Sequence, residues 1–494
     1  MRELRTDQSQ ALEELRIAVG HGKRRVVMQA PTGYGKTVLA SALITNALAK
    51  GKKVLFTVPA ISLIDQVVES FWEHGIEDIG VIQAHHAMTN WSKPVQVASV
   101  QTLMKRPMPD ADVVMLDECH RWFTAYRTWL HAEVGWKAPV IGLSATPWTR
   151  GLGNYYDHYI RATTTQALIE AGLLSPYRVY ARSHPDLSEV RTVAGDYHEG
   201  ELSAKMSDAK LVGDAVATWL AHAENRPTLC YAVDCAHAKH LQARFQAAGV
   251  SCGYQDAYTK EADRRSIKRD FHNGTLKVVC NVGTLTTGID WDVRCISLNR
   301  PTKSDMLFVQ IVGRGLRTAE GKDHCLILDH SDNHMRLGFV TDVDASYTGL
   351  LKGKAPVHDN RTEAIKLPKE CPSCTYLKPP GAQKCPQCGF VAQVQCSIKA
   401  EAGDLRVLKP KPKPVEAVDK PQFYAELKAY AQAKQYKSGW ASNQYREKFG
   451  TWPDWRFKDC APSLQISATV AGWIKSRQIA YAKGKALQKQ REMA

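Results

Sequence analysis

No run in this 494-residue chain is apolar for long enough to cross a bilayer, which takes about 20 consecutive apolar residues. Nor does the apolar core of a secretory leader follow Met1-Arg2-Glu3-Leu4-Arg5. A membrane or exported protein is disfavoured, and a cytoplasmic one is expected. The 13 cysteines fall mostly singly in apolar, strand-like contexts, so a disulfide scaffold is excluded and a reducing compartment fits. Acidic residues are short, 50 against 65 Lys and Arg, and the formal charge of +15 calls for a polyanionic partner. No cluster of carboxylates and histidines has the spacing of a nuclease metal site. With 44 % apolar residues the chain can bury several cores, in three or four domains.

What is present begins with Ala30-Pro31-Thr32-Gly33-Tyr34-Gly35-Lys36-Thr37, after the apolar run Val26-Val27-Met28 and opening a helix. This is a phosphate-binding loop, although Ala30 stands where the general pattern has Gly. Gly33 and Gly35 let the backbone curl, Pro31, Thr32 and Tyr34 complete the loop, Lys36 reaches the β- and γ-phosphates, and Thr37 is placed to ligand magnesium. A buried strand, Val113 to Leu116, ends in Asp117-Glu118-Cys119-His120, where a metal-holding and a water-activating carboxylate should emerge. Another, Val140 to Leu143, runs into Ser144-Ala145-Thr146-Pro147, whose hydroxyls are able to link the nucleotide site to a bound strand. Far downstream, Gln310-Ile311-Val312-Gly313-Arg314-Gly315-Leu316-Arg317 puts two arginines on one face of a helix, fit to stabilise a phosphoryl group in transfer. Taken singly, the acids and the arginines would be solvated surface charges. His120 either couples two lobes or satisfies a bond within the first, and Cys119 reads as packing.

The motifs, in this order, resemble those of superfamily 2 helicases over roughly the first two thirds of the chain. Within that superfamily the stretch from Leu285 to Asp290, with Gln310 to Arg317, is most similar to RadD and its phage-encoded relatives. The resemblance implies a DNA-processing motor using ATP, magnesium and zinc, with DNA favoured over RNA as partner and replication or recombination proteins as further partners. It implies that Gln8, after Leu4-Arg5, reads adenine, and that Gly288, Asp290 and Gln310 belong to the nucleotide site. It also implies that Pro59, Thr102, Thr286 and Thr287 touch the nucleic-acid backbone. An ATPase that remodels branched DNA without strand separation, an RNA helicase, the motor subunit of a nuclease complex and a non-hydrolysing scaffold are the alternatives.

The fold expected is α/β, two tandem RecA-like parallel-sheet lobes followed by a zinc ribbon and a basic, mainly helical C-terminal domain. The boundaries are 1–185 for the first lobe, 186–208 for a connector, 209–345 for the second lobe and 346–370 for a linker. The ribbon, 371–392, rests on Cys371-Pro372-Ser373-Cys374 and Cys385-Pro386-Gln387-Cys388-Gly389, two C-x-x-C knuckles whose four thiolates close a structural zinc site. Redox chemistry, the competing reading, asks for a C-x-x-C that opens a helix after a strand, and neither pair does. Cys396 lies outside the spacing. The segment 393–420 contains Lys409-Pro410-Lys411-Pro412-Lys413-Pro414, an extended spacer. From 421 to 494, 13 Lys and Arg stand against five Asp and Glu, interleaved with aromatics such as Tyr424, Trp440 and Trp455. That composition suits a nucleic-acid or partner surface, while most of its rings, Trp440 included, should form a small helical core.

Overall fold

A computed structural model describes residues 3–83, 86–121, 126, 130, 138–181, 184–286, 288, 290–352, 365, 367–391, 419–457 and 460–492, with side chains to 481 in the last helix. Thr287, Cys396 and nearly all of the expected 393–420 spacer lie outside them.

Seven short strands make the first sheet: β1 (Arg25–Gln29), β2 (Val54–Val58), β3 (Ile79–Ile82), β4 (Val95–Ser99), β5 (Val113–Asp117), β6 (Val140–Ser144) and β7 (His158–Arg161). They pair in the order β3-β4-β2-β5-β6-β1-β7, all parallel. Successive residues of one strand enter different cores, Val26 and Met28 one and Val27 the other, Phe56 one and Leu55 the other. Period-two alternation with both faces covered is why these strands read as unbroken apolar runs. In register, Gln29 lies opposite Ser144 and Leu143 opposite Asp117. The loop after β1 and the acidic pair after β5 therefore leave the sheet at one edge, where parallel sheets place their ligands.

The second sheet has the order β12-β13-β11-β14-β15-β8, also all parallel, from β8 (Tyr177–Tyr180), β11 (Thr228–Tyr231), β12 (Cys252–Gln255), β13 (Val278–Asn281), β14 (Cys295–Leu298) and β15 (Cys325–Asp329). The boundary expected at 185 differs from this topology: β8, assigned to the first lobe by sequence order, pairs with β15 at the edge of the second sheet. The connector is structured too, with the hairpin β9 (Thr192–Val193) and β10 (Asp196–Tyr197) and a helix Glu199–Met206 whose Leu202 and Met206 pack with Val233 of the second lobe. Beyond β15, the helix Val340–Ser346 turns back to the first lobe, and Gly153 N–H donates to the Leu351 carbonyl at 3.0 Å. The expected linker 346–370 thus begins as packed chain, because Tyr347, Leu350 and Leu351 have apolar surface to bury.

The cysteine segment carries the ribbon β16 (Lys369–Glu370) and β17 (Leu377–Lys378). It covers part of the β8 edge of the second sheet: Tyr180 bridges Tyr376, and Ala181 N–H donates to the Thr375 carbonyl at 3.1 Å. Residues 395–494 form a separate unit, described by itself. Its helices Lys420–Ala433, Trp440–Phe449 and Ala468–Glu492 enclose Phe423, Leu427, Tyr445 and Ile474, and Asp419 caps the first of them by accepting from Gln422 N–H.

Candidate functional site

The chain leaves β1 at Gln29 and re-enters regular structure in the helix Lys36–Leu48, whose first-turn N–H groups have no acceptor within the helix and so suit an anion, while Ala30 N–H and Tyr34 N–H shape the turn by donating to the Ser144 and Pro31 carbonyls. Gly33 and Gly35 have φ of +85° and +94°, and a Cβ on Gly33 would stand 2.7 Å from Leu174 Cδ2. Only glycine serves there. Under the loop the Tyr34 ring is buried with the Arg5 guanidinium 4.9 Å from its centre. The Tyr34 carbonyl accepts from Gln8 Nε2 and Arg5 Nη2, each at 3.0 Å, while Gln8 Oε1 accepts from Arg5 N–H at 3.2 Å. Gln8 thus braces the loop and lies beside the cleft, its Nε2 3.0 Å from where a Cβ on Gly35 would stand. Arg5, quoted in the sequence only as part of the motif, is its partner.

That cleft, of about 570 Å³, lies between the lobes and is lined by Thr32, Gly33, Gly35, Lys36, Thr37, Asp117 and Glu118 from one side and Gly288, Asp290, Arg314 and Arg317 from the other. Residues from four distant segments meet there. Lys36 Nζ donates to Glu118 Oε1 at 2.5 Å, and Glu118 N–H donates to Asp117 Oδ1 at 3.0 Å. Glu118 holds a left-handed backbone, φ +48°, which costs a non-glycine residue on the order of 1 kcal/mol or more and turns its carboxylate to the lysine. Burial by itself would raise the Glu118 carboxyl, but the charge and hydrogen bond of Lys36, with the charge of Arg314, outweigh it and hold Glu118 low. Burial raises Asp117, and the neighbouring Glu118 charge raises it further against the pull of Lys36. The Thr37 hydroxyl and the Asp117 carboxylate are hard oxygen donors, suited to magnesium.

His120 fills both of the roles open to it. Its Nδ1 meets Ser144 Oγ at 2.8 Å and Glu118 Oε2 at 3.2 Å, within the first lobe. Its Nε2 accepts from Gln310 Nε2 of the second lobe at 3.0 Å, and Gln310 also donates to Thr146 Oγ1 at 3.1 Å. An accepting Nε2 puts the ring proton on Nδ1 in a neutral imidazole, and burial, opposed by Glu118, pushes His120 down to about 4.

The two arginines do not share a helix face. The helix Asp305–Gly315 ends before Arg317, where the chain pairs with the segment before β8: Ser175 N–H donates to the Leu316 carbonyl at 2.7 Å. Lys322 Nζ takes up the freed carbonyls of Gly315 and Arg317, each at 2.6 Å, a pairing that no local motif marks. Both side chains still reach the cleft. Arg314 is buried, donates Nε to the Thr286 carbonyl at 2.8 Å, and is lowered to about 10 by burial and by Arg317. Arg317 pairs with Asp290. A Cβ on Gly288 would stand 2.4 Å from Leu63 Cδ2 of the first lobe, so the lobes touch here. Leu63 and Leu174 are close-approach residues that nothing in the sequence around them singles out.

Of the expected strand-contacting residues, Pro59 and Thr102 lie at one edge of the first sheet, joined through Gln101, whose Nε2 donates to the Pro59 carbonyl at 2.9 Å. The Thr102 hydroxyl meets Ser99 Oγ at 2.9 Å. The Thr286 hydroxyl is turned inward, donating to the Gly283 carbonyl at 2.9 Å.

Away from the cleft, Cys371, Cys374, Cys385 and Cys388 bring four Sγ atoms within 4.8 Å of one another, with Cys371–Cys388 at 3.7 Å and Cys374–Cys385 at 3.8 Å. These separations are far beyond a disulfide bond and match the roughly 3.8 Å edge of a tetrahedron of sulfurs bonded to zinc at about 2.3 Å. The cluster is compatible with zinc.

Two sequence families match the lobes: "Type III restriction enzyme, res subunit" over residues 1–149 and "Helicase conserved C-terminal domain" over residues 212–319. A 51.5 kDa protein of a Lactococcus phage is 28 % identical, over 81 % of this chain and 86 % of its own. The putative ATP-dependent helicase IRC3 of Saccharomyces cerevisiae is 30 % identical over 66 % of this chain, and the match spans 51 % of the yeast protein. Among solved structures, the ATP-dependent Type ISP restriction-modification enzyme LlaBIII bound to DNA shares the fold with a TM-score of 0.51 at 18 % identity, over 67 % of this chain and 28 % of that one.

Proposed function

The chain belongs to superfamily 2 of the helicases, nucleic-acid-dependent ATPases, and from that premise we propose that it is an ATP-driven DNA translocase or helicase acting in replication, recombination or repair. The observation that carries this reading is the meeting of Lys36, Asp117, Glu118, Arg314 and Arg317 around one cleft between two lobes. In it, Lys36 exchanges Glu118 for the β- and γ-phosphates as ATP enters the loop. Glu118, so released, orients the attacking water. Arg314 and Arg317 stabilise charge on the transferred phosphoryl group, which links hydrolysis to the closeness of the lobes. Thr37 and Asp117 would hold magnesium, which neutralises phosphate charge when bound. The Gln310–His120–Ser144 bridge reports closure to the first lobe, and Pro59, Thr102 and Thr287 follow the strand, whereas the inward-turned Thr286 hydroxyl shapes the backbone beside them.

DNA is favoured over RNA by the RadD-like motifs and by the restriction-enzyme description of the family on residues 1–149. That description also supports a second reading, a motor serving a separate nuclease. The four cysteines hold a structural zinc, and the basic C-terminal unit adds a nucleic-acid surface. Measuring ATP turnover with single-stranded, duplex and forked DNA and matched RNA, then strand displacement on the best activator, tests the proposal. DNA should stimulate, and Arg317→Ala should lose on the order of 1000-fold in rate while remaining folded. Near-normal stimulated turnover in that variant would remove Arg317 from the site.

A further inference from the structure

Gln29 is the last residue of β1, directly before the phosphate-binding loop, and it is fully buried. Its amide is oriented from one end, because the Tyr159 hydroxyl donates to Gln29 Oε1. Gln29 Nε2 therefore faces outward from that bond, and it donates to Asp344 Oδ1 at 2.9 Å. Asp344 belongs to the helix Val340–Ser346, which follows the second lobe in sequence. Its other oxygen, Oδ2, accepts from Thr165 N–H of the first lobe at 2.7 Å, and its backbone carbonyl accepts from Arg161 Nη2 at 2.8 Å. The same helix packs against Asp305–Gly315, which carries Gln310 and Arg314, and the Tyr347 hydroxyl donates to Asp305 Oδ2 at 2.7 Å. A carboxylate with 1 % of its surface exposed is costly to bury unless both oxygens are bonded, and here both are.

We propose that Asp344 is a positioning residue for ATP hydrolysis: through Gln29 it holds the root of the phosphate-binding loop in place relative to the arginine-bearing helix of the second lobe. Asp344 lies off the cleft wall, so it acts on the reacting groups only through these two elements. The arginines act on charge that develops during transfer, whereas the loop binds ground-state phosphate. A small displacement between the two elements should then fall on kcat rather than on KM. This rests on the ATP-hydrolysing reading of the cleft.

The test compares kcat and the ATP KM of DNA-stimulated turnover, with melting curves, in Asp344→Asn, Asp344→Ala and the exchange Gln29→Glu/Asp344→Asn. Asparagine has one accepting oxygen for two donors, so Asp344→Asn should lower kcat about tenfold or more, in line with the cost of an ångström-scale misplacement. KM should stay within about threefold. In the exchange, the carboxylate introduced at position 29 accepts from the amide N–H introduced at position 344 and from the Tyr159 hydroxyl. The oxygen of that same amide still accepts from Thr165 N–H, so most of kcat should return. Should Asp344→Ala fail to fold, the isosteric Asp344→Asn and the exchange decide. Wild-type kcat in Asp344→Asn, a loss of kcat that only follows a lowered melting temperature, or an exchange no faster than Asp344→Asn would overturn the proposal. A wild-type protein without DNA-stimulated turnover would instead strike the reading of the cleft and leave the hydrogen bonds of Asp344 as structural.

Discussion

Lys36 and Glu118 neutralise each other across 2.5 Å, yet their tasks in hydrolysis differ, and that difference is measurable. Lys36→Ala should weaken nucleotide binding, because no other side chain of the loop carries positive charge to the phosphates. Glu118→Gln should bind ATP and stall before hydrolysis. A Glu118→Gln protein hydrolysing at the unaltered rate would assign the water to another group. His120 supplies a pH signature. Its folded value, near 4, lies below the ordinary value near 6.5, so the unfolded chain takes the proton first. The stability carried by neutral His120 is whole above about pH 6.5 and is lost as pH falls toward about 4, by at most about 1.4 kcal/mol per pH unit. Melting curves between pH 7 and 4.5 should show that decline, and His120→Asn should flatten it. An unchanged slope in His120→Asn would place the titration elsewhere.

Among the elements, β8 and the cysteine ribbon have the least sequence signal for where they go. A parallel edge strand exposes a row of unpaired backbone groups, and the ribbon covers part of it through Thr375 and Tyr376. His184, just beyond β8, adds bonds to Asp332 at 2.7 Å and to Glu370 at 2.9 Å, tying the second lobe to the entry of the ribbon. The purified protein should therefore contain one zinc per chain, and Cys374→Ser should lose it. Hydrogen exchange should then rise in the ribbon and along β8, with β1 to β7 unaffected. A metal-free wild-type protein with protected cysteines would sink the zinc assignment, and unaltered exchange at β8 after metal loss would make the ribbon a separate appendage.

For the whole molecule, the charge that calls for a polyanion is unevenly divided, and the C-terminal unit carries much of it. Its aromatics divide too. Trp440 stacks on Tyr430 at 5.7 Å and lies 4.9 Å from Tyr436, part of the helical core, whereas Trp452 and Trp455 are 54 % and 79 % exposed, Trp452 under the Arg446 guanidinium. Cutting the chain between Lys409 and Pro414 should leave ATP binding intact and weaken DNA binding. The slope of log affinity against log salt should shrink by roughly 0.7 to 0.9 for each phosphate that the shortened protein no longer neutralises. Trp455→Ala should cost about 1 to 3 kcal/mol on single strands with the unit still folded, and Trp440→Ala should instead lower its melting temperature. Unchanged affinity and slope after truncation would assign the unit to a protein partner.

Local chemistry was legible without coordinates. The loop from Ala30 to Thr37, the strand ending in Asp117-Glu118, the C-x-x-C pairs and the strand cores all follow from short-range rules: phosphate needs a glycine turn before a helix, zinc needs paired thiolates, and a doubly covered strand needs consecutive apolar residues. Contacts between distant segments obey no such rule. Nothing local to Gln8 says that its amide braces Tyr34, and β8 precedes the second lobe in sequence order while completing its sheet. The same holds for Asp344, an acidic residue in a short helix whose buried partners, Gln29 and Thr165, lie 315 and 179 residues away. Burial pairs such groups because an unsatisfied polar atom away from water is costly, and which atoms meet is decided only when the lobes pack.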